Sequence, residues 1–263
     1  MGHSATQDQK QVARFHQLQA EHFASADSEK FAWQTTNAYL ARTEQELLER
    51  VPVRPADRLL EVGCGEGGNL RLLTELPSYA VGMDLSQAKV RWARRHVAGV
   101  AFTCADALRL PFREGSFDLV LCRDVLHHVS DKAGVVGEMV RVCRPDGRLV
   151  IIEPNGCSPI MWLLGVVVPA ERDLMRNSAR RLQPLLDDWP LDDREVTWRQ
   201  PFPIGRVLFH YRWGLPGLAE RLGRLVRALE HGVGRVMPMQ HWGYIVITAV
   251  KRASRVTMPP RVV

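Results

Sequence analysis

The residues with the strongest claim to chemistry lie between positions 61 and 153. Gly63, Gly65 and Gly68 fall in a G-x-G-x-x-G spacing directly after a short apolar run. Glycines there let the backbone pass close to a ligand, and a helix opening after the turn offers unbonded N–H groups. Asp84 follows 21 residues after Gly63, where a carboxylate ending a second strand accepts hydrogen bonds from ribose hydroxyls. Two more carboxylates join them. Glu61 stands two residues before the first glycine, and Asp106 ends a third apolar run in Cys104-Ala105-Asp106-Ala107, placed to accept from an adenine amino group. His127, His128 and Glu153 come later, each just after or at the end of an apolar run.

Charge separates the ligand classes that such a turn serves. A pyrophosphate beside the glycines would be repelled by Glu61, whereas a ligand that lacks phosphates and carries an ammonium group would not. Three carboxylates at the ends of the first three strands suit a cationic sulfonium nucleoside and do not suit a dianionic dinucleotide. The glycine spacing taken alone keeps a nicotinamide-dependent oxidoreductase open as an alternative. A non-catalytic protein that binds the nucleoside is another.

Alternating short apolar and longer amphipathic segments position these groups, the signature of β-α-β units around a parallel sheet. Strands are expected at Arg58–Val62, Tyr79–Met83, Val100–Cys104, Phe117–Cys122 and Arg148–Glu153. Between them the pattern predicts helices over Asn69–Leu76, from the N-cap Ser86 to about Val97, and from Lys132 to about Arg144. Pro145-Asp146-Gly147 reads as a turn. Gln11 to Arg50 is helical in pattern, with Val12, Phe15, Leu18 and Phe23 among its apolar positions. Ser158 to Leu186 also reads as helical, Glu195–Arg199 as a sixth strand, Pro216–Glu230 as an amphipathic helix and Gly243–Lys251 as a final strand.

Leu59-Leu60-Glu61-Val62-Gly63-Cys64-Gly65-Glu66-Gly67 resembles motif I of class I S-adenosylmethionine-dependent methyltransferases. Asp84, Ala105-Asp106-Ala107, Phe117-Asp118-Leu119-Val120, Leu126-His127-His128-Val129 and Arg144-Pro145-Asp146-Gly147 follow in the order of the methyltransferase type 11 group. The resemblance spans residues 58 to 155. It implies an α/β, Rossmann-like fold: a seven-stranded, mostly parallel sheet with helices on both faces and an antiparallel last strand. It further implies that Glu61, Gly63, Cys64 and Gly65 lie against the methionine part of S-adenosylmethionine and Asp84 on its ribose. Leu85 would flank the adenine, Asp106 and Ala107 would meet its edge, and the backbone near Cys122 and Arg123 would close the site. The product would be S-adenosylhomocysteine. Asp146 departs from the pattern, standing where a second glycine is frequent.

Methyl transfer from a sulfonium is an in-line displacement that needs alignment and exclusion of water, with a base where the acceptor must lose a proton. His128, His127 and Glu153 are the candidate catalytic groups. His128 also reads as a packing residue at a helix start, and Glu153 as a cap for the loop Pro154-Asn155-Gly156. Asp124-x-x-His127-His128 offers metal-ligating types. Three residues so close on a strand-to-helix turn rarely converge, so no metal is expected. Arg42 reads as a solvated surface residue, and His210 and Tyr211 as helix-packing or pocket-lining residues.

Composition narrows the partners. The net charge of +6 comes from 30 arginines against five lysines, interleaved with acids and forming no stripe, so no nucleic-acid partner is expected. Five widely spaced cysteines without a C-x-x-C pair argue against a disulfide framework or a zinc site. Met1 to Lys30 lacks the apolar core of a secretory leader, and the longest apolar run, Ile160 to Val168, is short of the roughly 20 residues that span a bilayer. The expectation is a cytoplasmic protein without stable membrane insertion, its Arg221, Arg224 and Arg227 helix admitting peripheral contact. Its division would be a helical lid over 1–57, a cofactor-binding core over 58–157, an acceptor cap with the sixth strand over 158–240, and a last strand and tail over 241–263. Met161, Trp162, Leu163, Trp189, Phe202 and Phe209 make that cap apolar and aromatic. A small hydrophobic or aromatic acceptor is therefore favoured, a natural product or lipid-like molecule methylated on oxygen.

Overall fold

The computed structural model describes residues 37–210 and 214–253. The expected helix positions Val12, Phe15, Leu18 and Phe23, and the pocket candidate Tyr211, lie outside the described residues. The described chain forms a seven-stranded sheet: β1 (Arg58–Val62), β2 (Tyr79–Asp84), β3 (Ala101–Cys104), β4 (Phe117–Arg123), β5 (Cys143–Pro154), β6 (Leu191–Arg199) and β7 (Tyr244–Lys251). Their spatial order is β3-β2-β1-β4-β5-β7-β6. The first five strands pair in parallel, and β7 runs antiparallel to both β5 and β6.

Central strands read as continuous apolar runs because both faces are covered. Leu60, Val62, Val120, Cys122, Leu149 and Ile151 point to one face, where Val135, Val136 and Met139 of α4 (Lys132–Val142) cover them. Leu59, Leu119, Leu121, Val150 and Ile152 point to the other, under α1 (Ala38–Leu48) and α3 (Gln87–His96). Each such side chain, fully buried, contributes about 1.5–3 kcal/mol. In α1 the buried residues Leu40, Thr43, Glu44, Leu47 and Leu48 recur at helical spacing, giving one inward stripe.

Local chemistry sets the element ends. Ser86 caps α3 by accepting from Lys89 N–H, as expected, and Asp131 caps α4 through Gly134 N–H at 2.8 Å. The helix after the glycine turn, α2 (Gly68–Leu72), is shorter than the predicted Asn69–Leu76. Leu73 turns to ψ 131° and ends it. The predicted turn at Pro145-Asp146-Gly147 is instead part of β5, where the pairing with β4 slips between Phe117 and Leu119. Asp146 takes φ 59° there, a left-handed state that aspartate tolerates better than most residues. The helical run expected over Ser158–Leu186 is broken. It contains α5 (Pro159–Val167), a 3₁₀ segment Pro169–Arg176, α6 (Ala179–Leu182) and a 3₁₀ segment Gln183–Leu186. Pro169 and Pro184 enter at the starts of the two 3₁₀ pieces, where a missing N–H costs least.

The remaining helices, α7 (Ile204–Leu208) and α8 (Ala219–Gly234), pack with α1 around Tyr39, Leu40, Phe209 and Val226. Tyr39 Oη donates to Glu230 at 2.5 Å, and its ring meets Phe209 edge-on at 5.0 Å. Arg227, one of the arginines of the basic helix face, pairs with Glu46 and so ties α8 to α1. Among the described residues no helix is long and apolar enough to cross a membrane.

Candidate cofactor and acceptor site

Strand order reverses between β1 and β4, the place where open α/β sheets bind ligands outside the carboxyl ends of their strands. A cleft of about 800 Å³ opens there. Its near wall holds Gly63, Cys64, Gly65, Asp84, Leu85, Asp106 and Ala107, and its far wall Asp124, His127, His128, Ile160, Met161 and Glu171. Seven of the ten expected cofactor residues, all but Glu61, Cys122 and Arg123, thus share one wall, and Arg123 also lines the cleft.

The turn needs its glycines for two reasons. Gly63 has φ 72°, and a Cβ on it would stand 2.1 Å from Val125 Cγ2. Gly65 and Gly67 are also left-handed, at φ 54° and 78°. Gly67 supplies the last left-handed conformation, as the N-cap of α2. Asp84 holds the turn from the neighbouring strand: its Oδ2 accepts from Gly65 N–H at 2.9 Å and its Oδ1 from Ser86 N–H at 2.8 Å. Each oxygen keeps a further lone pair for a ligand hydroxyl. Asp106 is exposed, with Oδ1 accepting from Leu108 N–H at 2.9 Å, and Leu85 presents an apolar side chain that is 73% exposed.

Glu61 is not in the wall; it is wholly buried behind it. Its Oε1 accepts from Asn69 Nδ2 at 2.5 Å, and Asn69 itself lines the cleft. Glu61 Oε2 is buried with no hydrogen-bond partner among the described residues. Burial pushes this carboxyl up to about 8, against the lowering effect of Asn69 and Arg123. A half-satisfied carboxylate behind the turn fits a cationic ligand and opposes a phosphate. Together with the carboxylates of Asp84 and Asp106 and the open left-handed turn, it makes the residues present fit S-adenosylmethionine.

Asn69 continues into a buried polar chain. Its Oδ1 accepts from Arg123 Nη1 at 2.7 Å, Arg123 Nη2 donates to Glu44, and Arg206 Nη2 donates to the other oxygen of Glu44. Burial pushes the Glu44 carboxyl up, but the two guanidiniums outweigh it and hold it below the usual carboxylate range. Asp124 sits beside Arg123 at 3.3 Å with φ 54°, a strained backbone at the cleft floor. Arg206 lies over the Tyr244 ring, 4.7 Å from its centroid. Cys122, by contrast, is fully buried in the core and absent from the cleft wall. Arg42 is a surface residue beside Glu46, as expected.

The candidate catalytic groups separate. Glu153 is fully buried and caps not the loop at 154–156 but the turn at 125–127, accepting from Val125, Leu126 and His127 N–H, His127 Nδ1 and Asn177 Nδ2. Burial raises its carboxyl, and His127 and the backbone donors more than offset this, leaving it lowered. It does not line the cleft. His127 is 2% exposed, its Nδ1 2.8 Å from Glu153 Oε2 and its Nε2 3.0 Å from Glu171 Oε2. Burial works against its charged form, but the two carboxylates prevail and carry it up to about 10. His128 Nε2 lies 3.9 Å from Glu171 Oε1, and the two imidazoles are 3.9 Å apart. Asp124 does not join them; the third ligand-type group beside the histidines is Glu171. Glu171, Asn69, Glu44 and Arg206 were not singled out from the sequence. Glu171 sits in the broken cap 44 residues from His127, with no motif around it.

Comparison with known proteins follows the same lines. The family model described as "Methyltransferase domain" matches residues 60–151. A Streptomyces halstedii protein named methyltransferase GfsG is 30% identical over 227 residues, covering 80% of each chain. The 27-O-demethylrifamycin SV methyltransferase of Amycolatopsis mediterranei is 35% identical over 130 residues, 45% of this chain and 48% of that one. The chain spans less than half the length of the first relatives it matches. Among solved structures, a Haemonchus contortus phosphoethanolamine N-methyltransferase bound to S-adenosylhomocysteine superposes with a TM-score of 0.62 at 18% identity, covering 91% of this chain and 60% of that one.

Proposed function

Since this chain belongs to the S-adenosylmethionine-dependent methyltransferases, we propose that it methylates a hydroxyl oxygen of a small, largely apolar acceptor, a natural product or lipid-like molecule. When bound, S-adenosylmethionine supplies an electrophilic methyl group on a sulfonium. Gly63, Cys64 and Gly65 give it a close backbone cradle, Asp84 takes its ribose hydroxyls, and Asp106 with Ala107 and Leu85 takes its adenine. Glu61 and Asn69 supply negative charge and a polar contact behind the turn. Arg123 positions Asn69 and closes the floor through its backbone. Cys122 anchors that strand end from the core.

The observation that carries the acceptor reading is the composition of the far wall. Ile160, Met161, Leu164 and Leu174 make it apolar, and it ends in a polar group of His127, His128 and Glu171. Such a pocket holds an apolar body and aligns one hydroxyl through a few convergent polar atoms. His128 and Glu171 accept the hydroxyl's proton in hydrogen bonds. His127, fixed by Glu153, positions Glu171. The Amycolatopsis relative is named for an O-demethylated acceptor, which supports oxygen as the atom methylated.

Transfer of a labelled methyl group to a panel of apolar alcohols, phenols and amines tests the reading. Labelled ethers are expected. Labelling confined to amines, or none while S-adenosylhomocysteine still binds, would remove it.

A further inference from the structure

We propose that His127, His128 and Glu171 form a binding site for one divalent transition-metal ion of the zinc type, at the polar end of the acceptor pocket. One ligand atom from each of the three residues lies within 4.8 Å of the others. Donors around one zinc ion at about 2.0–2.2 Å stand ~3–3.5 Å apart, so side-chain rotations on the order of an ångström close the set.

The hydrogen bonding of His127 asks for a cation at this place. Glu153 is fixed by three backbone N–H groups and Asn177, so it takes the Nδ1 proton of His127. Nε2 then faces the Glu171 carboxylate at 3.0 Å. A lone pair on Nε2 would oppose a carboxylate oxygen at that distance, so a shared proton or a metal ion lies between them. Glu153, Glu171 and two neutral imidazoles together carry a charge of −2. A dication cancels this, and one proton halves it. His128, at 3.9 Å from Glu171, supplies the third donor that a shared proton does not use.

The surroundings match a metal centre. A buried carboxylate holding the far nitrogen of a ligating histidine is the usual outer support of such ions, fixing tautomer and ring orientation. Two histidines and one carboxylate leave coordination positions open, and these three residues line the cleft. An ion there would hold the acceptor's oxygen and favour its deprotonated form. That role rests on the transferase reading, whereas binding of the ion does not.

The full chain, stripped with a chelator and dialysed, is titrated with Co²⁺ and followed by its visible ligand-field bands. Zn²⁺ binding is measured by calorimetry, and S-adenosylhomocysteine binding in the same samples reports on the fold and on the cofactor reading. One ion per chain is expected. His128→Ala and Glu171→Gln should each weaken it about tenfold or more, with S-adenosylhomocysteine affinity kept, while His241→Ala, half-buried and outside the cleft lining, should change neither. Absence of a Co²⁺ band, or unchanged ion affinity in folded His128→Ala and Glu171→Gln proteins, overturns the proposal.

Discussion

Asn69 Nδ2 donates a 2.5 Å hydrogen bond to Glu61 Oε1, and the other oxygen of that carboxyl is buried with no hydrogen-bond partner among the described residues. The pairing is half complete in a way that a bound cation would finish. Burial lifts Glu61 to about 8, so without ligand the group is largely protonated at pH 7. A cationic ligand nearby favours the carboxylate and lowers that value, so binding expels a proton. Calorimetry of S-adenosylmethionine binding at pH 7, repeated in buffers of different ionisation enthalpy, should show release approaching one proton. The release should vanish in Glu61→Gln. Heats independent of buffer would contradict it.

The same shift acts on the free protein. A folded-state value above the unfolded one means the folded chain holds the proton more tightly. This contribution to stability is fully present below about pH 4.5 and is lost as pH rises through about 8. In the ligand-free protein, Glu61→Gln should therefore flatten the decline in melting temperature between pH 6 and pH 9. An unchanged slope would show that Glu61 titrates elsewhere.

Asp84 fixes the glycine turn to the next strand through Gly65 and Ser86 N–H. Asp84→Ala removes both bonds as well as the group placed on the ribose. The loss of hydrogen bonds to a charged acceptor costs about 1–3 kcal/mol. S-adenosylhomocysteine affinity should fall roughly 5- to 150-fold. Asp106→Ala, whose carboxylate is exposed and accepts from Leu108 N–H, should lose affinity with less effect on stability. Equal affinity in all three proteins would move the pocket elsewhere.

What was legible in the sequence was local. Gly63, Gly65 and Asp84 were readable because a turn, a strand end and a cap are set by residues a few positions apart, and the apolar runs of β1, β4 and β5 announce strands buried on both faces. Spacing alone could not say that Gly67 rather than Gly68 carries positive φ. The polar chain was not legible. Glu44 meets Arg123 and Arg206 from 79 and 162 residues away, and Glu171 reaches His127 from a cap whose path is set by tertiary packing. The role of Glu153 was misplaced for a related reason: its partners at 125–127 are brought to it by the β4–β5 pairing, not by its own loop.

Gly63 offers a steric test. An alanine there must hold a left-handed backbone, at about 1–2 kcal/mol, and its Cβ would press on Val125 Cγ2 at 2.1 Å, adding about 1–3 kcal/mol. Gly63→Ala should lower the melting temperature by about 5 °C or more and weaken S-adenosylhomocysteine binding. Val125→Ala in the same protein should restore part of the loss, since it relieves the contact and not the backbone. No recovery in the double variant would assign the whole cost to φ.

Glu44 carries the largest expected stability effect. It is 1% exposed and accepts from both Arg123 and Arg206, joining α1 to β4 and α7. Glu44→Gln leaves two buried guanidiniums without their shared counter-charge, which costs about 3–5 kcal/mol. Arg206→Gln alone should cost less, because Arg123 and Glu44 remain paired. In Glu44→Gln/Arg206→Gln one of the stranded charges is gone, so the double variant should lose less than the sum of the singles. Chemical denaturation of the four proteins measures this coupling directly. Strict additivity would mean that Glu44 and Arg206 do not share their energy, and that the close contact between them holds α7 without stabilising it.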